Sequence, residues 1–148
     1  MKKLFFCAAA LFAAISFAAC SDDDETNLPV TPASIAGTWQ LVHSQGWEIY
    51  DGEKETWSED YSDEDGWRWT ISFDTNNSYI ETEYDNGEVY YTNNGTYSIT
   101  GNTITLNDYY GPTTQEIKKL TESELIWTHK DADEEHSCED TETYKRIE

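Results

Sequence analysis

The sequence predicts an all-β fold: about eight antiparallel strands in a meander that closes into a barrel. Three observations predict it. Apolar residues alternate with polar ones over short runs. Clusters of Gly, Asn and Asp punctuate those runs, and no window carries the period of an amphipathic helix. Every connection is short, which favours pairing between sequential strands. Closing the sheet removes the edges that would otherwise recruit another chain.

Trp39, Leu41 and His43 alternate along the first strand, so all three, His43 included, are expected to point inward, with His43 hydrogen-bonded in the core. Asp51 to Asp65 is an acidic insert, expected as the one long loop at an end of the barrel. Trp67, Trp69, Ile71 and Phe73 alternate with Arg68, Thr70 and Ser72, the pattern of a half-buried strand. Asn76-Asn77, Asp85-Asn86-Gly87 and Asn93-Asn94-Gly95 carry turn chemistry. Tyr97 with Ile99, and Ile104 with Leu106, flank Gly101-Asn102, a two-residue hairpin turn. Leu125 and Trp127 share a face, and Asp131 to Glu135 precedes a last strand holding Tyr144 and Arg146. The expected interior is Trp39, Leu41, Trp69, Ile71, Phe73, Ile99, Leu106 and Trp127. Aliphatic residues are few, so the 6 Trp and 10 Tyr must fill much of it, each large aromatic burying roughly 150–250 Å².

The first residues carry an address. Lys2 and Lys3 precede an uncharged apolar run from Leu4 to Ala19, and the small residues Ala18 and Ala19 lead into Cys20. That is the layout of a secretory signal. The run is shorter than the roughly 20 residues a membrane-spanning helix needs. The small pair before Cys20 resembles the bacterial lipobox, which implies acylation of Cys20 and a membrane-anchored mature chain beginning there. The following Ser21-Asp22-Asp23-Asp24-Glu25 resembles the acidic export signal of surface lipoproteins of Bacteroides-type bacteria. The implied location is the outer membrane, with display at the cell surface. The expected divisions are a signal peptide over 1–19, a lipidated cysteine with an acidic, Pro-containing linker over 20–33, and a barrel domain over 34–148.

The formal net charge is −21. Such a surface repels phosphate backbones, so nucleic acid is excluded as a partner. Cys7 leaves with the signal and acylation consumes Cys20, which leaves Cys138 unpaired. Without acylation, a Cys20–Cys138 disulfide becomes available in an oxidising compartment.

Several segments in order point to a family. Ser34-Ile35-Ala36-Gly37-Thr38-Trp39 places a G-x-W at the start of the first strand. Ile71-Ser72-Phe73, Gly95-Thr96-Tyr97-Ser98-Ile99, Ile104-Thr105-Leu106, Leu120 to Leu125 and Tyr144-Lys145-Arg146 follow. The ordered set resembles the lipocalin-like domains of Bacteroides-type lipoproteins across Ser34 to Ile147. The resemblance implies an eight-stranded calycin-type barrel and a ligand-binding role. In such a meander the first and last strands pair, and the resemblance implies a basic residue of the last strand lying across Trp39: Arg146, on the face of Tyr144, is favoured, with Lys145 as the alternative. A guanidinium on an indole contributes about 0.5–2 kcal/mol.

No catalytic frame is present: G-x-S-x-G, H-E-x-x-H and the phosphate-binding loop are all missing. No enzyme activity and no cofactor are expected. His129, His136 and Cys138 form H-x6-H-x-C across an expected hairpin, but without the paired spacing of zinc motifs, so hydrated hairpin residues are the preferred reading. Asp63-Glu64-Asp65-Gly66 invites comparison with a calcium loop. Tyr61 and Ser72 stand where that loop needs its outer ligands, so the motif fails and a solvated acidic loop is preferred. The leading expectation is a non-catalytic module binding a small apolar or amphipathic molecule in the barrel mouth. The other is an interaction lipoprotein of an outer-membrane complex, with Trp47, Trp57 and Tyr61 stacking on glycan rings.

Overall fold

The computed structural model describes residues 26–62, 66–132 and 136–148. Cys20 and the acidic run behind it lie outside the described residues, as do Asp63–Asp65 of the calcium-loop comparison. Among the described residues, nine strands follow one short helix: α1 Pro32–Ile35, β1 Gly37–Tyr50, β2 Glu53–Asp60, β3 Trp67–Phe73, β4 Ser78–Asp85, β5 Glu88–Thr100, β6 Thr103–Asp108, β7 Gly111–Leu120, β8 Glu124–Ala132 and β9 His136–Arg146. All pair antiparallel in the order β2-β1-β3-β4-β5-β6-β7-β8-β9, and β1 also pairs with β9. The result is a closed eight-stranded barrel with β2 added outside the closure.

Local chemistry accounts for most of the turns. Asn86 and Gly87 hold φ of 50° and 84° between β4 and β5, the left-handed pair that a two-residue hairpin demands. Gly101, at φ 59°, begins the turn from β5 to β6. Asn77, at φ 65°, ends the turn into β4, where Asp74 Oδ1 accepts from the backbone N–H groups of Asn76 and Ser78. The β8–β9 connection over 133–135 lies outside the described residues, and Asp131 and Ala132, expected in that turn, extend β8.

Three expectations are corrected. From Glu53 to Asp60 the acidic insert is strand rather than loop. Asp51-Gly52, with φ of 51° and 80°, makes a two-residue turn, and β2 runs back along β1 from Tyr50↔Glu53 to His43↔Asp60. Asn93-Asn94-Gly95 is not a turn either and lies inside β5. There Asn93 donates to Glu81 Oε2 and Asp108 Oδ2. Gly95 permits a close approach, since a Cβ there would sit 2.3 Å from the Asn107 carbonyl oxygen and 2.9 Å from the Tyr79 ring. Finally, His43 faces outward. The register slips between Leu41 and His43, so Val42 is an extra residue that inverts the alternation beyond it. His43 pairs instead with Asp60 on the outside, Nδ1 to Oδ1 2.6 Å.

The core fills one end of the barrel. Trp39, Ile71, Phe73, Tyr79, Tyr97, Ile104, Leu106, Ile117, Leu120, Leu125, Trp127 and Tyr144 are buried there, with Leu41 and Ile35. Of the expected interior, Trp69 and Ile99 are only half-buried and pack against this cluster. The aromatics meet edge to face: Phe73 lies 5.1 Å from Tyr97 and 6.3 Å from Trp127, centroid to centroid. Helix α1 seals that end. Thr31 caps it through a capping box with Ser34, Pro32 opens it, and Ile35 enters the core. The chain docks on the barrel ahead of α1: the Leu28 N–H donates to the Leu120 carbonyl, and Leu28 and Val30 pack on the core.

Candidate functional site

Arg146 anchors the sealed end. It stands opposite Trp39 in the β1–β9 register, and its guanidinium carbon lies 4.1 Å from the Trp39 ring centroid. Its Nε donates to the Glu122 carbonyl at 2.6 Å and its Nη2 to the Ser34 carbonyl at 2.9 Å. The remaining Nη1 donates to the Ala36 carbonyl. One planar fork thus satisfies carbonyls from α1 and from the β7–β8 turn. The Trp39 indole N–H donates to the Ile35 carbonyl at 2.8 Å.

The opposite end is open and differs in chemistry. Above the core lies a cavity of about 410 Å³, within the range of small-molecule sites. Its floor is apolar: Leu41, Ile71, Leu106, Trp127 and Tyr144. Trp69 and Tyr61 form one wall, edge to face at 5.2 Å. The upper walls carry Glu81, Glu83, Asp140 and Glu142 together with Gln115 and His129. Strand pleat explains the grouping. Glu81 stands opposite Ile71, Glu83 opposite Trp69, and Glu142 opposite Trp127, so each carboxylate continues an inward-facing row.

Burial and mutual repulsion act on these acids. Desolvation pushes the Asp140 carboxyl up to about 6, with the Glu142 charge adding to it and His129 opposing. Burial also raises Glu81, the Asn93 amide opposes that, and the charges of Glu142, Asp108 and Glu83 raise it further. Glu142 accepts from the Trp127 indole N–H at 2.7 Å and from the Tyr144 hydroxyl at 2.8 Å, which fixes it over the floor. Gln115 Oε1 is buried with no hydrogen-bond partner. The cavity therefore offers acceptors: four carboxyl groups and one unsatisfied amide oxygen.

The aromatic residues expected to stack on glycan rings lie on different faces. Tyr61 lines the cavity and donates to Glu59 Oε2 at 3.1 Å. Trp57 lies on the inward face of the β1–β2 hairpin, over Gly46, with its indole N–H donating to Ser44 Oγ at 3.2 Å. Trp47 is on the outward face, 4.6 Å beneath the Lys54 ammonium. A single sugar ring cannot stack on both indoles.

The candidate zinc set is also rearranged. His136 sits opposite Tyr50, 6.4 Å between ring centroids, and its Nε2 lies 3.6 Å from Glu48 Oε2. His129 and Cys138 instead meet Asp140, ligand atoms within 4.8 Å of one another. Spacing along the chain concealed Asp140, because its proximity comes from the β8–β9 register, where His129 and Asp140 are direct partners. A turn through Asp131 to Glu135 would set His129 opposite Ser137; the strands instead pair as far as Ala132 and Ser137, and that shift brings Asp140 opposite His129.

Among curated proteins nothing matches. A lipocalin-like protein from Bacteroides uniformis is similar at 18% identity and a TM-score of 0.46, covering 77% of this chain and 99% of that one. The bovine lipocalin allergen Bos d 2 is similar at 19% identity and a TM-score of 0.46, covering 78% of this chain and 75% of that one. Residues 35–127, from the sealing helix to the aromatic floor of the cavity, match the family described as the lipocalin-like domain, and the chain belongs to that family.

Proposed function

We propose that this chain is a membrane-anchored, extracytoplasmic binding protein that holds a small amphipathic molecule in the open end of its barrel. Members of the lipocalin-like family are generally non-catalytic binding proteins. The observation that carries the reading is the cavity: an apolar floor beneath a ring of acceptors. An apolar tail gains from the floor at roughly 25 cal/mol per Å² buried. A hydrogen-bond-donating or cationic head would satisfy Gln115 Oε1 and face Glu81, Glu83, Asp140 and Glu142. An anionic head would meet only like charge.

Two amphiphiles of equal chain length, a trimethylammonium and a sulfate, test this below their micelle concentrations. The trimethylammonium should quench tryptophan fluorescence saturably, since Trp69 and Trp127 line the cavity, and the sulfate should not. Glu83→Gln should weaken the cationic probe severalfold. Equal binding of both probes, or of neither, would overturn the reading. Anchoring is tested separately: Cys20→Ala should release the protein in soluble form, and a fatty-acid label absent from the wild type would refute the anchor.

A further inference from the structure

We propose that His129, Cys138 and Asp140 form a binding site for a divalent transition-metal ion of the zinc class, at the mouth of the barrel. Three independent features converge there. The first is placement. His129 faces Asp140 directly across the β8–β9 ladder, and Cys138 lies two residues before Asp140 on the same face. Their ligand atoms fall within 4.8 Å of one another, and all three residues are half-buried. Tetrahedral bonds of about 2.0–2.3 Å put ligand atoms about 3.5 Å apart. Side-chain rotation of about an ångström would close the set without moving the ladder.

The second feature is orientation. His129 Nδ1 lies 3.1 Å from the Thr114 carbonyl oxygen, to which only a protonated Nδ1 can donate. That bond leaves Nε2 as the lone-pair donor, the tautomer and support that metal-binding histidines require.

The third is the chemistry of the donors. One nitrogen, one sulfur and one carboxylate oxygen suit a borderline-soft ion, and the thiolate and carboxylate together balance its two charges. A cation there also relieves the repulsion between Asp140 and Glu142. With three protein ligands, the fourth position opens toward the cavity, which His129 and Asp140 both line.

The test uses the metal alone and so stands apart from the amphiphile experiment. The full chain, stripped with a chelator, is titrated with Co²⁺ as a zinc surrogate. The expected result is the strong visible absorption of a four-coordinate site with a sulfur-to-cobalt charge-transfer band, both displaced by Zn²⁺. Cys138→Ser should remove the charge-transfer band. His129→Gln and Asp140→Asn should each weaken Zn²⁺ binding by at least about tenfold, and His136→Gln should leave it unchanged. Circular dichroism of each variant confirms that the barrel is intact. A folded wild-type chain without the charge-transfer band overturns the proposal. So does a band that survives Cys138→Ser, which would come from another cysteine, or one that disappears in His136→Gln.

Discussion

The two ends of this barrel are built from the same strands and obey opposite rules. At the sealed end, inward positions carry Trp39, Phe73, Tyr97, Ile104 and Leu125, and the polar groups that enter are satisfied by Arg146 and α1. At the open end, the same inward rows continue as Glu83, Glu81, Glu142 and Asp140, with Gln115 Oε1 left unpartnered. A single strand shows the switch: β9 presents Tyr144 to the core, then Glu142, Asp140 and Cys138 toward the mouth. Stability and binding are thus divided along the barrel axis. The division also says where mutations will be felt.

Substitutions at four positions probe that contrast, and the largest effect belongs to the sealed end. Trp39→Ala empties a fully buried site and should cost roughly 3–5 kcal/mol, read by chemical denaturation; a cost below 1 kcal/mol would mean that the sealed end is not the stabilising one. Arg146→Ala removes the guanidinium from Trp39 and orphans the Ser34, Ala36 and Glu122 carbonyls. About 2 kcal/mol should be lost, and Arg146→Lys should recover only part of it. Trp69→Ala, half-buried in the cavity wall, should cost less, about 1–2 kcal/mol. If it equalled Trp39→Ala, the two ends would not differ as described.

The smallest expected effect has the opposite sign. Burial raises Glu81 above its ordinary value of 4.5, so the folded chain holds that proton more tightly than the unfolded one. Its contribution therefore worsens as pH rises from that value through the raised one. Glu81→Gln should stabilise the protein modestly at neutral and mildly alkaline pH. The gain should shrink toward zero as pH falls to the ordinary carboxylate range. A melting-temperature series across pH checks this, and a gain independent of pH would remove burial of the charge as its cause.

How much of this was legible beforehand depends on how local the determining physics is. The turns at Asn86-Gly87 and Gly101-Asn102 follow from residues whose own backbone preferences impose them, and they read correctly. Asp51-Gly52 carried the same signal, but the surrounding charge disguised a strand as a loop. Charge does not prevent strand formation at an edge, where β2 lies with Glu53, Lys54, Glu55 and Glu59 exposed. The bulge at Val42 leaves no mark in the alternation, so the alternation alone puts His43 on the wrong face. Asn93 and Gly95 mimicked a turn because the residues that favour turns also serve a strand that must hold a buried carboxylate and admit a neighbouring backbone. The sealed end, made from residues that can only be buried, was largely readable. The mouth was not, because a carboxylate pointing into a barrel and one pointing into water look alike in sequence.

The docking of Leu28 on Leu120 has a consequence for orientation. Both lie at the sealed end, where the β7–β8 turn and α1 meet, so the chain meets the barrel at Leu28 on the side opposite the mouth. Under the proposed anchor at Cys20, the intervening residues reach at most about 25–30 Å when extended. The barrel would then stand with its sealed base toward the lipid and its acidic opening toward bulk solution. Cargo would be received from the aqueous side, and a molecule diffusing within the bilayer would meet the wrong end of the barrel.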